Sequence, residues 1–421
     1  MFDLDKWQEI YVTLSRNKLR TFLTAFGVFW AIFMLLIMIG AGNGLKNGVN
    51  ERFNSWASNS VFVWSNTTSM EYKGFKPGRT IEFTNDDISA IKRNIQEVDI
   101  IAPRHRLGQY WANNKVSKGI KSGNYKINGD QPEYAKIESY KMQKGRFIND
   151  GDMSEKRKVA VIGHKIFEQL FSPNEDPIGQ YLQVNEVNFK IIGLLKKPTR
   201  SGGEQSESLI VPFSTFQYTF NMGNKVGWFG ITAKPNVKAS DMQKRVLDLL
   251  KSRHKIHPED KQALGSWNLE DEYNRTNNLF IGMNWLSWFV GILTLVAGII
   301  GVSNIMLIII KERTKEIGIR RAIGASPWAI VSQIISESIV LTFLAGYFGL
   351  VAGIGLLEII NKTMESMPQN PDSASFFKNP GVDLNIALTA LAVIIASGIL
   401  AGLIPAKKAL SIKPVEALRA E

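Results

Sequence analysis

The chain has 421 residues, of which 45% are apolar and 10% aromatic, and its formal net charge is +12. Cysteine is absent, which excludes disulfides and cysteine-based metal or redox sites, and four scattered histidines leave little for a zinc site. Most of the positive excess lies in residues 42 to 280. A surface that meets anionic lipid or an acidic partner, or a solvated basic surface, explains this excess without nucleic acid.

Four long stretches lack any Asp, Glu, Lys or Arg, and each approaches the ~20 apolar residues with which a helix crosses ~30 Å of hydrocarbon. They are Thr21 to Ile39, Thr276 to Ile310, Ser338 to Leu357 and Leu384 to Ala406. The first is longer than the ~7–15-residue apolar region of a signal peptide, and no A-x-A site follows it. We therefore expect it to remain as a membrane anchor.

The layout predicts an α-helical membrane protein with four transmembrane helices and a large α+β domain between helices 1 and 2. Basic residues cluster before the first stretch, between the second and third, and after the fourth. Positive charge near short loops favours the cytoplasm. Both termini are therefore expected in the cytoplasm and the large domain outside it.

The predicted segments follow one another along the chain. They are an amphipathic cytoplasmic segment at 1–20, transmembrane helix 1 at 21–41, the external domain at 42–278, helix 2 at 279–310, a cytoplasmic loop at 311–326, helix 3 at 327–360, an external loop at 361–383, helix 4 at 384–404 and a cytoplasmic tail at 405–421. Within the external domain, strand and helix signals indicate an α+β unit split by an inserted α/β subdomain at about 120–205. Thr84 with Asp87 is typical of a helix N-terminus.

The second uncharged stretch runs for 35 residues, more than a bilayer needs. A continuous helix would project beyond the membrane, whereas a loop at Thr276 to Asn284 would leave a shorter span. Both alternatives remain open from the sequence.

Several motifs occur in a characteristic order. They are KGRF (144–147), KVAVIG (158–163), DPIG (176–179), FKIIGLL (189–195), ERTKEIGIRRAIGAS (312–326) and PAKKALSIKPVEALRAE (405–421). This order resembles the permease of the MacB-type ABC transporter family, with its MacB-like periplasmic core domain and FtsX-like membrane domain. The resemblance covers nearly the whole chain and implies a bacterial inner membrane location, with the large domain in the periplasm.

In that family the loop at 311–326, called the coupling segment below, docks onto a cytosolic ATPase. The resemblance assigns this role to Glu312, Arg313, Lys315, Glu316, Ile317, Arg320, Arg321, Ile323, Gly324 and Ala325. The charged members would meet the polar surface of the ATPase, while Ile317 and Ile323 fill its groove. The alternative is a loop whose positive charge only anchors it on the cytoplasmic side.

The chain differs from MacB-type proteins at its N-terminus. Those proteins carry an ATPase domain ahead of the first span, whereas about 20 residues precede the first span here. No G-x-x-x-x-G-K-[ST] phosphate loop occurs in the sequence. We therefore expect no catalytic residue, metal or cofactor on this chain, with ATP and Mg²⁺ bound by a separate ATPase. The sequence at Ser201 to Gln205 looks like part of an ATPase signature but is read as a flexible external loop.

The resemblance implies a permease subunit that couples ATP hydrolysis to movement of its periplasmic domains, for efflux of a periplasmic substrate. The expected partners are the cytosolic ATPase, a second permease copy or a paralogue in a dimer, membrane lipids, and in many such systems a periplasmic adaptor and an outer-membrane channel. Two alternatives remain: an FtsX-like signalling permease that activates a cell-wall hydrolase, and a receptor that works without an ATPase.

Other polar residues are given structural interpretations. His254 and His257 are interpreted as surface histidines of a loop, since Pro258 follows and no third metal ligand is evident. Glu337 and Glu358 are expected near the two membrane interfaces. Gly346, Gly349, Gly353 and Gly355 suit close helix contact, within the chain or across a dimer.

Overall fold

A computed structural model describes residues 18–53, 56–108, 114–197, 203–366 and 377–412. The chain divides into two compact units. Residues 49–277 belong to the first, called the large domain below, and residues 18–48, 278–366 and 377–412 belong to the second, called the membrane unit. The predicted N-terminal amphipathic segment falls mostly, and the C-terminal tail partly, outside the described residues.

The described part of the chain forms alternating helices and strands. The helices are α1 (Lys18–Phe53), α2 (Asn85–Asn94), α3 (Tyr134–Ile137), α4 (Asp150–Ser154), α5 (His164–Leu170), α6 (Gly203–Ser206), α7 (Phe213–Thr219), α8 (Ala239–Arg253), α9 (Leu269–Glu312), α10 (Thr314–Ala322), α11 (Pro327–Ser366) and α12 (Leu384–Leu410). The strands are β1 (Ser60–Ser65), β2 (Phe83–Thr84), β3 (Val98–Arg106), β4 (Asn114–Lys118), β5 (Lys121–Asp130), β6 (Met142–Gly145), β7 (Val159–Ile162), β8 (Tyr181–Val184), β9 (Val187–Leu195), β10 (Ser208–Pro212), β11 (Lys225–Val226), β12 (Trp228–Ala233) and β13 (Leu264–Asn268).

The strands of the large domain form one 11-stranded sheet in the order β10-β7-β9-β8-β4-β5-β3-β12-β1-β13, with β6 beside β9 and a separate β2–β11 pair. Strand β10 also pairs with β5, so the strands between them close into a ring. The ring surrounds a core of apolar side chains that includes Phe189, Ile191 and Leu209. The large domain is thus an α+β unit whose two flanking pieces, β1 to β3 and β11 to β13, enclose an inserted section.

Side chains alternate between the two faces of β1, as the pleat of a strand requires. Val61 and Val63 pack into a core that is covered by apolar residues of α2 and α8. Phe62 lies in a different cluster on the opposite face. Helix α2 begins with the predicted capping box, in which the Asp87 carboxylate accepts from the backbone N–H of Thr84 at 2.9 Å.

Four of the described helices, α1, α9, α11 and α12, are long and apolar enough to cross a membrane. This confirms the predicted class, with a large α+β domain between the first and second of them. Helix α9 runs without interruption for 44 residues, so the alternative of a loop at 276–284 does not hold.

Glycines permit close contact between these helices within the chain. A Cβ on Gly349 of α11 would lie 2.6 Å from the backbone oxygen of Phe29 in α1. Gly353 likewise faces Leu36 of α1, and Gly346 faces Ile394 of α12. Three of the four glycines singled out in α11 therefore serve packing inside one chain.

Candidate functional site

The coupling segment folds around the short helix α10, which begins directly after Arg313 at the end of α9. The helix ends in a Schellman motif, in which the N–H of Gly324 binds the carbonyl of Arg321 and the N–H of Ala325 binds the carbonyl of Arg320. Gly324 has φ of 103°, a conformation that suits glycine and disfavours other residues. The Gly-Ala pair therefore fixes the turn from α10 into α11.

A ring of five polar side chains joins α10 to α11. Arg313 Nη1 donates to Glu337 Oε1 over 3.2 Å, and Gln333 Nε2 lies 3.4 Å from the same oxygen. Arg320 Nη1 donates to Gln333 Oε1 over 3.0 Å. Glu316 completes the ring, 3.4 Å from Arg313 and 2.8 Å from Arg320. Because each charged group has an oppositely charged neighbour, the helices are held together at this end.

Glu337 was expected near a membrane interface, and its partners were not predicted. It is 5% exposed and belongs to the polar ring. Gln333 was also missed from sequence. Both lie on α11 at a spacing of four, so they share a helix face, but their partners are on another element.

Arg321 connects the coupling segment to the end of α12. Its Nη1 donates to the carbonyls of Leu410 and Ile412, over 2.8 and 2.5 Å. These carbonyls lie at and just beyond the helix C-terminus, where the backbone lacks partners of its own and positive charge is favourable. Arg321 thus ties α10 to a third long helix.

The coupling segment divides its residues between an inward and an outward set. Ile317 is partly buried and packs against the apolar core of the membrane unit. Ile323 is 82% exposed and Trp328, which sequence analysis did not single out, is 74% exposed. Glu312 and Lys315 are also exposed. An exposed tryptophan and an exposed isoleucine in one short segment are the kind of apolar residues that anchor protein interfaces.

Two candidates in the large domain have structural roles. His254 is not simply a surface histidine, because its Nε2 lies 3.0 Å from the buried carboxylate of Asp87, which Arg253 also contacts at 2.9 Å. Among the described residues no group of three or more potential metal ligands is present. The part of Ser201 to Gln205 that the structure describes forms α6 rather than a flexible loop. Glu204 of α6 pairs with Arg106.

Comparison with known families and proteins agrees with this architecture. A model of the MacB-like periplasmic core domain matches residues 21–249, and a model of the FtsX-like permease C-terminal region matches residues 288–414. The macrolide export ATP-binding/permease protein MacB of Bdellovibrio bacteriovorus is 28% identical over 414 residues, which cover 98% of this chain and 61% of that protein. The pyoverdine export ATP-binding/permease protein PvdT of Pseudomonas putida is 28% identical over 420 residues, which cover 99% and 60%.

The periplasmic region of MacB from Actinobacillus actinomycetemcomitans, a solved structure, aligns with 53% of this chain and 95% of that one, at 20% identity and a TM-score of 0.43. The chain spans about 60% of the length of the two curated relatives named here. The family models together cover most of the chain, from the first membrane helix to the end of the fourth. The chain therefore belongs to the MacB-like, FtsX-like family of ABC transporter permeases.

Proposed function

We propose that this chain is a permease subunit that converts ATP hydrolysis by an ATPase outside these 421 residues into movement of its periplasmic domain. The observation that carries the proposal is the double attachment of α10. The polar ring links it to α11, and Arg321 links it to the end of α12. A force applied to α10 would therefore be passed to three long helices rather than absorbed by a flexible loop.

The exposed side of the coupling segment is the proposed ATPase contact. Ile323 and Trp328 supply apolar anchors, and Glu312, Lys315 and Arg320 supply charges around them. Interface energy is typically concentrated in a few such anchors. Gly324 and Ala325 hold the turn, while Arg313, Glu316 and Arg321 serve the transmission of force inside the permease.

The rest of the mechanism follows from this assignment. The basic coupling segment lies in the cytoplasm with both termini, as positive charge near short loops favours. Two permease copies, or this chain and a paralogue, face two ATPases, whose closure on ATP displaces α10. Helix α9 continues without a break from the membrane unit into the residues that belong to the large domain, and so carries the displacement outward. The periplasmic domains then change their spacing and drive a periplasmic substrate onward.

Affinity capture from native membranes, followed by mass spectrometry, tests whether a separate ATPase is the partner. We expect a stoichiometric protein with a phosphate loop to accompany the wild-type chain. Ile323→Asp should abolish that capture, because a buried charge would replace an apolar anchor. The matched control is Ile120→Asp on the large domain, where Ile120 is fully exposed. Equal ATPase recovery with both variants would overturn the assigned contact.

The same capture separates the roles that the family offers. Recovery of a periplasmic adaptor or an outer-membrane channel would support export, and recovery of a hydrolase would replace export with signalling. If capture in a detergent that preserves such complexes recovers no ATPase, that result would contradict the proposed coupling.

A further inference from the structure

One face of the large domain's sheet carries an unusual number of aromatic side chains. The registers place Trp64 of β1 opposite Trp228 of β12, and Phe62 of β1 opposite Trp267 of β13. Trp56 packs against Trp267 with ring centroids 5.0 Å apart. These rings, with Tyr134 of α3, line a cavity of about 700 Å³, which we call the aromatic cavity. Cavities that bind small molecules typically span roughly 300 to 1,000 Å³.

The aromatic cavity lies on the side of the sheet opposite the main core. The alternate residues Val61 and Val63 face the core that α2 and α8 cover, whereas Trp64 is 38% exposed. Large aromatic side chains that remain accessible in a concave site, instead of being covered by a helix, are typical of ligand sites.

The charged groups at the base of the cavity are satisfied by one another. Arg104 Nε and Nη2 bind the two oxygens of Asp130 over 2.7 and 2.6 Å, and Arg104 Nη2 also lies 2.9 Å from Glu138. Arg106 pairs with Glu204. His105 is neutral at pH 7, because burial lowers the pKa of its ring. A charged ligand would therefore meet groups that are already paired.

The aromatic rings are held in place by this network. The Arg104 guanidinium lies 3.7 Å from the centre of the Tyr134 ring, and Trp228 Nε1 donates to the Tyr134 hydroxyl over 3.1 Å. Burial raises the pKa of Tyr134, so the hydroxyl stays neutral. Trp64 lies close against Gly265, whose missing side chain leaves room for the indole. The walls are therefore fixed in position before any ligand arrives, which reduces the entropy lost on binding.

We propose that the aromatic cavity binds an uncharged small molecule that carries one or more flat rings. Its ring would stack between the indoles of Trp64, Trp228 and Trp267, where apolar area and ring contacts supply the affinity. The preference for an uncharged ligand follows from the ion pairs, which would have to be broken to neutralise an added charge. This proposal does not depend on the ATPase coupling, because binding requires no hydrolysis.

The test uses the full chain in lipid nanodiscs and three probes. Prodan is an uncharged naphthalene dye, TNS is an anionic naphthalene dye, and ethidium is a cationic ring system. Equilibrium dialysis measures the bound dye, and empty nanodiscs with the same lipid content give the part that dissolves in lipid. We expect one saturable prodan site per chain and weaker binding of both charged dyes.

Two variants locate the site. Trp64→Leu should weaken prodan binding roughly three- to tenfold, the loss expected for one ring contact. The matched control Tyr181→Leu removes an aromatic ring that is 57% exposed on β8, away from the cavity, and should bind as wild type. If Trp64→Leu lowers the melting temperature, Asn66→Phe decides instead, because Asn66 is an exposed residue of the cavity lining, and a phenyl group there should occupy part of the cavity and also reduce prodan binding.

Each outcome decides the proposal. Saturable prodan binding that falls in Trp64→Leu or Asn66→Phe, but not in Tyr181→Leu, supports it. Absence of a saturable component, or equal binding by wild type and both cavity variants, would overturn the site. Tighter binding of TNS or ethidium than of prodan would overturn the uncharged class of ligand.

Discussion

Arg313 and Glu337 form an ion pair over 3.2 Å that joins the end of α9 to α11 across the coupling segment. Their side chains are only 20% and 7% exposed. Separating a largely buried ion pair is costly, so the two helices should move together rather than slide past each other. The pair is therefore the element of the coupling segment that should matter most for transmission.

Removing one partner of this pair should uncouple the permease. Arg313→Gln leaves the Glu337 carboxylate without its cation, which we expect to cost about 3 kcal/mol in stability and to reduce ATPase stimulation several-fold. Thermal unfolding in detergent and ATP hydrolysis with the captured ATPase measure the two effects. The double variant Arg313→Gln/Glu337→Gln should recover part of both, since no unpaired charge remains. Hydrolysis by Arg313→Gln equal to that of the exposed control Lys311→Gln would contradict this role.

Close packing of α11 on α1 should make one glycine far more sensitive than another. Gly349→Ala puts a methyl group 2.6 Å from the backbone oxygen of Phe29, so a helix must shift, and we expect a loss of about 1–3 kcal/mol. A methyl group added at Gly355 would meet no heavy atom of another described element within 4 Å, so Gly355→Ala should be neutral or slightly stabilising. Melting temperatures in one detergent compare the two directly. Equal destabilisation by both substitutions would rule out this packing.

The long helices were predictable from sequence, because an uncharged stretch of about 20 residues has few other uses. The capping box at Thr84 and Asp87 was predictable for a similar reason, since its residues are three apart in the chain. Glu337 was not, because its partner Arg313 is 24 residues away on a different element. The sequence showed the carboxylate but not what it binds.

The aromatic cavity was also hidden from the sequence. Trp64, Trp228 and Trp267 are far apart in the chain and meet only through the antiparallel registers of β1 with β12 and β13. Each residue on its own fits an ordinary strand. Only the order of the strands shows that their rings share one face.

The buried pair of Arg104 and Asp130 should dominate the stability of the large domain. Arg104→Leu leaves the Asp130 carboxylate, which is fully buried, without a cation, and we expect a loss of about 3–5 kcal/mol. Arg245→Leu, which removes a 65% exposed guanidinium from its pair with Glu97, should change stability little. Denaturant unfolding followed by tryptophan fluorescence measures both. A loss with Arg104→Leu no larger than with Arg245→Leu would contradict this prediction.

Acid should lower the stability of the large domain by protonating Asp87. Burial alone raises the pKa of this carboxyl, but hydrogen bonds from His254 and Arg253 outweigh it and bring the pKa to about 2, below its usual 3.8. Since the folded pKa is the lower one, Asp87 contributes stability above about pH 4, and the contribution of about 2 kcal/mol is lost as the pH falls from 4 towards 2. Unfolding midpoints between pH 6 and pH 2 measure this loss.

Two substitutions distinguish the contribution of Asp87 to the pH dependence of stability from that of other acidic groups. Asp87→Asn should be less stable than wild type at pH 6 and should lose less stability on acidification. Asp86→Asn, at the exposed neighbouring position, should keep the wild-type pH dependence. A wild-type pH dependence in Asp87→Asn would show that other groups cause the acid sensitivity.

The most direct test of coupling measures whether the periplasmic domains move when ATP is hydrolysed. The sequence contains no cysteine, so Ile120→Cys at a fully exposed turn of the large domain gives one spin label per chain. Double electron–electron resonance spectroscopy then reports the distance between the labels on two permease copies. We predict that the distance distribution shifts between the nucleotide-free complex and the complex trapped with ADP and vanadate, and that Arg313→Gln abolishes the shift. An unchanged distribution in a complex that hydrolyses ATP, or no distance between copies at all, would contradict the proposed mechanism.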